Sequence, residues 1–122
     1  MMGPAALIVD DDAAFRDVAA LLFTTRGCAE VHAAADVEGA FLAFTCRRPD
    51  WVLIDVNLDG SSGTALARAL ARLPAPPRVV LTSTDASAVS SAELRECGAI
   101  AFVAKDKLAT TDLAGLFSPA GT

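Results

Sequence analysis

The sequence predicts an α/β fold in which helices cover both faces of a parallel, five-stranded sheet. Short apolar runs recur at nearly even spacing, and segments with helical periodicity lie between them. The runs cover residues 5–9, 29–33, 51–54, 79–81 and 100–103. Because strands and helices alternate strictly, we expect parallel strands joined by right-handed crossovers.

The first three helices are indicated by apolar residues that share one helix face. The three sets are Ala14, Val18, Leu21 and Leu22; Val37, Ala40, Phe41 and Phe44; and Leu66, Leu70 and Leu73. Asp36 and Ser62 suit helix N-caps, and Gly27 and Gly98 suit the left-handed residue that closes a helix. Prolines from Pro74 onward end the third helix before the fourth strand.

The last two helices have the weakest sequence signals. The fourth is expected within residues 87–96, where Val89, Ser90 and Ser91 are mediocre helix formers. The fifth is expected near residues 109–117, interrupted by Gly115. This region is either marginally stable structure or a mobile face that serves a partner.

Five strands favour the flavodoxin-like order 2-1-3-4-5 for this doubly wound sheet. Neither a glycine-rich dinucleotide fingerprint nor a phosphate-binding P-loop follows the first strand. Nucleotide-binding versions of the architecture are therefore disfavoured.

Length and charge restrict the class of protein. The 122 residues suit one domain, residues 1–122, with a core at about 5–117 and a short tail at 118–122. Fifteen acidic and ten basic residues give a net charge of −5, which argues against direct nucleic-acid binding. The apolar stretches are too short to span a membrane, and the N-terminus lacks the basic region of a signal peptide. We expect a cytoplasmic protein.

The cysteines and the histidine are assigned structural roles. Cys28, Cys46 and Cys97 are widely spaced and form no CxxC pair, so all three are interpreted as small buried hydrophobic residues. His32 falls in the second strand, away from the polar strand ends, and is interpreted as structural.

Polar side chains follow four of the predicted strands. They are Asp10, Asp11 and Asp12; Asp55 and Asn57; Thr82 and Ser83; and Lys105. In the order 2-1-3-4-5 these strands are neighbours, so the groups are expected to meet at one edge of the sheet, where ligands bind in open α/β folds. Asp12 alone is better explained as a turn former or N-cap.

This combination of groups indicates phosphoryl chemistry at Asp55. Clustered carboxylates repel one another unless a cation compensates, and hard oxygen ligands suit Mg²⁺. A phosphoryl group on Asp55 would share its charge with Mg²⁺, Lys105 and the Thr82 hydroxyl. Asp55 is therefore the predicted nucleophile.

Four motifs in order resemble the receiver domain of two-component response regulators. LIVDDDAAFR (7–16) is similar to the family's first strand and acidic pair, and PDWVLIDVNLDGSSG (49–63) to its phosphoacceptor strand and loop. RVVLTS (78–83) and GAIAFVAK (98–105) are similar to the strands that carry the switch hydroxyl and the lysine. The resemblance covers about residues 5–117.

The resemblance implies a role for each matching position. Asp55 would be phosphorylated, Asp10 and Asp11 would bind Mg²⁺ with Asp55, and the backbone carbonyl of Asn57 would complete the protein ligands. The residues expected to bind the phosphoryl group and to switch are Thr82, Ser83 through its amide, Lys105 and Phe102. The phosphoryl group would come from a histidine kinase or a histidine phosphotransfer protein.

Three positions depart from the family pattern. Asp59 and Asp106 stand where prolines are common, and the second departure puts in doubt the cis peptide found after the lysine in many members. Phe102 lacks the hydroxyl of the frequent tyrosine, so it would signal by packing alone. None of these changes removes a group that the chemistry requires.

The expected output is a conformational change of the face formed by helix 4, strand 5 and helix 5, which would bind a downstream effector or form a homodimer. The protein is expected to be a phosphoacceptor rather than an enzyme with turnover. One alternative is a pseudo-receiver that binds partners without being phosphorylated. A haloacid-dehalogenase-like phosphatase is less favoured, since it needs a second acid where Asn57 stands and a longer chain.

Overall fold

The computed structural model describes residues 3–118 and contains the predicted five-stranded parallel sheet. The strands are β1 (Ala5–Val9), β2 (Glu30–Ala34), β3 (Trp51–Asp55), β4 (Arg78–Ser83) and β5 (Ala101–Ala104). Their order is β2-β1-β3-β4-β5, and every pairing is parallel. The predicted fold class and strand order are confirmed. All five residues of β3 are buried, as expected for the central strand.

Helices lie on both faces of this sheet. They are α1 (Ala13–Thr25), α2 (Val37–Arg47), α3 (Gly63–Ala71), α4 (Ser91–Cys97) and α5 (Leu113–Phe117). A 3₁₀ helix at Lys105–Thr110 precedes α5, and a small antiparallel hairpin pairs Asn57–Leu58 with Ser61–Ser62.

Each face of the sheet has its own apolar core. Residues of α1 and α5 pack on one face, where Trp51 stacks on Phe117 at 4.9 Å and Phe23 meets both rings edge-on. Residues of α2, α3 and α4 cover the other face. The two layers fix β3 from both sides, so its C-terminal residue, Asp55, has a well-defined position.

Helix ends follow the predicted capping residues. Asp12, Asp36 and Ser62 accept hydrogen bonds from backbone amides at the starts of α1, α2 and α3. Gly98 closes α4 with φ 81°, and Gly27 follows α1 with φ 102°. These positive angles favour glycine, because other residues rarely adopt them.

In α1, the residues that are buried against the sheet are only partly those of the predicted apolar face. Val18 and Leu21 are 58% and 67% exposed, whereas Ala19 and Phe23 are fully buried. Small Ala19 lets the helix approach the sheet, and Phe23 fills the aromatic cluster around Trp51. This packing fixes the rotation of the helix more strongly than the count of apolar residues does.

Three further expectations are corrected. The fourth helix, expected within residues 87–96, begins at Ser91, where Ser90 and Glu93 form a capping box, and ends one residue beyond that range at Cys97. The fifth segment is divided into the 3₁₀ helix and α5, whose start is capped by Asp112, and Gly115 lies inside α5. Cys46 is exposed on the solvent side of α2, whereas Cys28 and Cys97 are buried as predicted.

Of the predicted tail at 118–122, residues 119–122 lie outside the described residues, as do Met1 and Met2. Within residues 3–118, no helix is long and apolar enough to cross a membrane.

Candidate functional site

The carboxyl ends of four strands bring the predicted polar residues to one edge of the sheet. Asp10 follows β1, Asp55 ends β3, and Lys105 directly follows β5. The β3–β4 register places Thr82 beside Asp55, and the β4–β5 register places Val103 beside Thr82. Positions far apart in the chain therefore become neighbours through strand pairing alone.

Three carboxylates form the acidic part of the site. Oxygen atoms of Asp10, Asp11 and Asp55 lie within 4.8 Å of one another. Asp10 is fully buried, Asp55 is 7% exposed, and Asp11 is exposed. The turn after β1 holds Asp10 in place, since the Asp12 amide donates to its Oδ1 at 2.8 Å and Arg16 Nη1 donates to its carbonyl oxygen at 2.7 Å.

Lys105 joins the two buried carboxylates. Its Nζ lies 2.7 Å from Asp10 Oδ2 and 3.1 Å from Asp55 Oδ2. The same ammonium lies 4.2 Å from the centroid of the Phe15 ring, a cation–π contact that also restricts its position. The lysine therefore reaches Asp55 as a fixed positive charge rather than as a free, solvated side chain.

Burial and neighbouring charges shift two pKa values here. Burial raises the pKa of Asp10, and the charge of Asp55 adds to this, while Lys105 and the Asp12 amide act in the opposite direction without cancelling it. Burial alone lowers the pKa of Lys105, but its contacts with Asp10 and Asp55 outweigh that effect and raise the pKa above its ordinary value. Lys105 therefore stays charged at neutral pH.

The two hydroxyl residues of β4 are buried, and their hydroxyl groups bond to groups other than Asp55. Thr82 Oγ1 donates to the carbonyl oxygen of Val103 at 2.7 Å, and Ser83 Oγ accepts from the Asp85 amide at 3.1 Å. Phe102, on β5, is half-buried against the core that faces α2, α3 and α4. The Thr82 hydroxyl thus connects β4, which pairs with the strand of Asp55, to β5, which carries Phe102.

Asp55 is oriented through both of its oxygen atoms. The Asn57 amide donates to Oδ1 at 3.0 Å, and Oδ2 faces Lys105. Gly63 packs against the Asp55 backbone so closely that a Cβ there would overlap the Asp55 carbonyl oxygen. Sequence reasoning missed the roles of Gly63, Phe15 and Arg16; only the glycine after the serine-rich turn offered a signal.

The chemistry of the acidic cluster fits a hard divalent cation such as Mg²⁺. Asp10 Oδ2 is buried, and no donor among the described residues meets it with hydrogen-bond geometry, although the Lys105 ammonium contacts it. Three clustered carboxylates provide oxygen ligands of the kind that Mg²⁺ prefers. The ligand role of the Asn57 carbonyl stays a prediction.

The remaining acidic residues and the histidine lie outside this cluster. Asp12 caps α1, as favoured from the sequence. His32 contacts Glu30 on the outer strand β2, with Nε2 2.8 Å from the carboxylate oxygen. Every described peptide bond is trans, including the bond between Lys105 and Asp106.

Both the sequence and the fold of the chain match known proteins. Residues 6–114 match the family model described as the response regulator receiver domain. The sensory transduction protein LytT of Bacillus subtilis is 36% identical over 90 residues, which cover 72% of this chain and 37% of LytT. A protein-glutamate methylesterase/protein-glutamine glutaminase of Anaeromyxobacter dehalogenans is 36% identical over 108 residues, which cover 85% of this chain and 29% of that protein.

This chain thus spans about a third of the length of these curated relatives. Among solved structures, a CheY-like response regulator receiver domain from Methylobacillus flagellatus has a TM-score of 0.81 and 25% identity, covering 95% of this chain and 99% of that one. The CheY4 chemotaxis response regulator of Vibrio cholerae has the same fold, with a TM-score of 0.77 and 24% identity over 95% of this chain and 99% of its own. The chain belongs to the response regulator receiver domain family.

Proposed function

We propose that Asp55 accepts a phosphoryl group from the phosphohistidine of a histidine kinase or a histidine phosphotransfer protein. The observation that carries this proposal is the orientation of Asp55, whose two oxygens are held by the Asn57 amide and the Lys105 ammonium beside two further carboxylates. A carboxylate oxygen of Asp55 forms the new bond to phosphorus while the P–N bond to the histidine breaks and its electrons return to the imidazole.

The metal ligands in this proposal are Asp10, Asp11, Asp55 and the backbone carbonyl of Asn57. Bound Mg²⁺ would supply positive charge that offsets the carboxylates and the incoming phosphoryl oxygens. Lys105 provides a second positive charge, and its cation–π contact with Phe15 keeps it directed at the site. Positioning and electrostatics of this kind account for most of what phosphoryl transfer needs from a protein.

The switch in this proposal begins with Thr82. Its hydroxyl gives up the bond to the Val103 carbonyl and turns to the phosphoryl oxygens, which the Ser83 amide and Lys105 also bind. Phe102 then moves into the space behind Thr82. The face formed by α4, β5 and α5 changes with it and presents a new surface to a downstream effector or to a second copy of the chain.

The protein acts in this scheme as a cytoplasmic signalling domain with protein partners. Direct contacts with nucleic acid or membrane are not part of the scheme, because the chain is acidic overall. Asp55 holds the phosphoryl group as a signal, and any hydrolysis of the phosphate is its own resetting step. Residues of about 5–117 form the single domain that carries these roles.

A phosphorylation assay with a matched control tests the assignment. Acetyl phosphate and Mg²⁺ should give the wild-type protein an acyl phosphate that is labile to acid and to hydroxylamine. Asp55→Asn should abolish it, whereas Asp59→Asn, which changes an exposed acid in the same loop, should keep it. Unchanged phosphate gain in Asp55→Asn contradicts the assignment.

Absence of phosphate gain in the wild type, together with no saturable Mg²⁺ binding, would favour the phosphorylation-independent pseudo-receiver. Turnover of a generic phosphate ester would favour the phosphatase.

A further inference from the structure

The ring of Phe15 lies against the side chain that carries positive charge into the acidic site. Lys105 Nζ is 4.2 Å from the centroid of this ring. The Lys105 side chain is 14% exposed, so the contact is largely shielded from water, and shielding strengthens a cation–π interaction. Phe15 is thus a third partner of Lys105 beside Asp10 and Asp55, and unlike them it carries no charge.

The first turn of α1 fixes the position of this ring. The Phe15 amide donates to Asp12 Oδ1, in the N-cap of the helix, at 3.4 Å. The next residue, Arg16, donates through Nη1 to the Asp10 carbonyl oxygen at 2.7 Å. The half-buried ring itself packs against the apolar core on the side of the sheet that α1 covers. The ring is therefore held by the same turn that positions Asp10, and its place does not depend on Lys105.

The three contacts of Lys105 should respond differently to a divalent cation. Asp10 and Asp55 belong to the carboxylate cluster that suits Mg²⁺, so a bound cation would neutralise the charges that hold the ammonium. Both ion pairs would then weaken, because their attraction depends on those charges. The Phe15 ring offers no oxygen ligand to Mg²⁺, and its attraction for an ammonium does not depend on the carboxylates. The ring contact therefore persists when the cluster is neutralised.

We propose that Phe15 is a positioning residue for phosphoryl transfer, whose ring holds the Lys105 ammonium beside Asp55 while Asp10 and Asp55 serve a metal ion. This inference rests on the proposed phosphorylation of Asp55. Without the ring, the flexible four-carbon stem of the lysine would let the ammonium turn into water, and the charge would have to be ordered again at each transfer. An aliphatic side chain at position 15 would fill space against the core without holding the charge.

Lysine-selective ¹³C NMR of the full chain tests this role, because Lys105 and Lys107 are the two lysines of the sequence. Lys107 is exposed and serves as an internal reference. In the wild type we expect the ring current of Phe15 to shift the ε-methylene proton signal of Lys105 upfield. Relaxation should show this group to be rigid both in chelator and in MgCl₂. In Phe15→Leu the shift should disappear, and Lys105 should be rigid in chelator but as mobile as Lys107 in MgCl₂.

The rate of phosphate gain from acetyl phosphate in MgCl₂ gives a second readout. We expect Phe15→Leu to react about tenfold more slowly than the wild type, the factor that a partly desolvated cation–π contact supplies. Phe15→Tyr keeps the face of the ring and should restore both the rigid Lys105 signal and the rate. Phe41→Leu makes the same change at a position on α2 that is 40% exposed, and it should behave as the wild type does.

Three results would overturn the proposal: an unshifted Lys105 signal in the wild type, a Lys105 side chain that stays rigid in MgCl₂ in folded Phe15→Leu, or an unchanged rate in that variant. If circular dichroism shows that Phe15→Leu is unfolded, Phe15→Met decides in its place. A wild type that gains no phosphate would contradict the proposed function and with it the transfer role of Phe15. The lysine signals would still show whether the ring holds the ammonium, so the two failures are distinguishable.

Discussion

At the scale of single residues, Asp10 is the side chain whose charge is least favourable in the folded protein. It is fully buried, and burial together with the charge of Asp55 raises its pKa above the ordinary value of 3.8. For an acid with a raised folded pKa, stability is greatest below the unfolded pKa and falls as the pH rises through the folded pKa. At neutral pH this shift therefore destabilises the metal-free fold.

We predict that Asp10→Asn raises the stability of the protein at pH 7 in the presence of a chelator. The asparagine keeps an acceptor for the Asp12 amide and removes a buried charge, and Lys105 keeps its contact with Asp55. The expected gain is about 1 kcal/mol, or about 4 °C in Tm, and it should vanish near pH 3. Thermal denaturation measures it. Asp17→Asn, an exposed acid on α1, should have no such effect, and a lower Tm for Asp10→Asn would contradict the prediction.

The cysteines offer a second prediction at this scale. Cys46 is exposed, whereas Cys28 and Cys97 are buried, and burial together with the charge of Asp50 raises the pKa of Cys28 to about 11. At pH 8 we expect a thiol reagent to modify Cys46 alone in the folded protein and all three cysteines after denaturation. Because the ordinary thiol pKa is 9.0, stability should also fall as the pH rises from there to about 11. Rapid modification of Cys28 in the folded protein would contradict the conclusion that this side chain is buried.

The residues of the acidic site could be predicted because each stands at the end of a strand. Asp55 and Lys105 needed only the strand positions and the sheet order. Phe15 and Arg16 were missed, since their contacts depend on the rotation of α1.

At the scale of elements, the β4–β5 pair connects the acidic site with the proposed output face. Thr82 is fully buried, and its hydroxyl bonds to the Val103 carbonyl across the pair. In the proposed switch this bond breaks when Asp55 is phosphorylated. The phosphorylated state must therefore gain enough from new bonds to replace it.

We predict that Thr82→Val leaves phosphate gain at Asp55 intact but makes the response of α4 and β5 incomplete. Valine keeps the shape of threonine without the hydroxyl, and loss of the bond should cost about 1 kcal/mol of stability. Hydrogen exchange with and without acetyl phosphate measures the response. Ser83→Ala removes a hydroxyl bonded to the Asp85 amide and keeps the Ser83 backbone amide, so it should respond as the wild type does. A normal response in Thr82→Val would refute the proposed role of the hydroxyl.

Helix α4 is held mainly by its ends. It has seven residues, of which Cys97 is the buried one, and Ser90 and Glu93 form a reciprocal capping box at its start. We predict that Ser90→Ala costs about 1 kcal/mol and speeds amide exchange within α4 about fivefold, while β3 is unaffected. Ser91→Ala, one residue further on and outside the box, serves as the control. Equal exchange in the two variants would mean that the cap does not limit the opening of the helix.

The elements that the sequence predicts best are those with strong local patterns. Alternating apolar runs predict the sheet, and the capping residues Asp36 and Ser62 predict two helix starts correctly. The buried side of α1 was predicted less well, because Ala19 and Phe23 are chosen by the fit to Trp51 and Phe117 and not by the number of apolar residues. The boundaries in the C-terminal third depend on caps at Ser90 and Asp112, which have many possible alternatives among nearby serines and aspartates.

At the scale of the whole molecule, the proposed switch requires a defined amount of free energy. Inverting a two-state equilibrium from 1:99 to 99:1 takes about 5.5 kcal/mol of preference for one state. Charge-assisted hydrogen bonds contribute roughly 1.5–3 kcal/mol each, so new bonds from Lys105, the Ser83 amide and the Thr82 hydroxyl could supply this amount. The loss of one such bond would leave the switch incomplete rather than abolish it.

The acidic site should also couple the stability of the whole fold to Mg²⁺. A cation that binds only the folded state stabilises it by about 2.7 kcal/mol at one hundred times its Kd. We therefore expect Tm to rise with MgCl₂ well beyond the effect of NaCl at equal ionic strength, because NaCl only screens the repulsion among the carboxylates.

Asp11→Asn should remove most of this rise, and Asp59→Asn should keep it. We expect the Tm of Asp10→Asn to be higher than that of the wild type in chelator and lower than that of the wild type in MgCl₂. Equal rises with the two salts would show that the carboxylates act as a diffuse charge and not as a metal site.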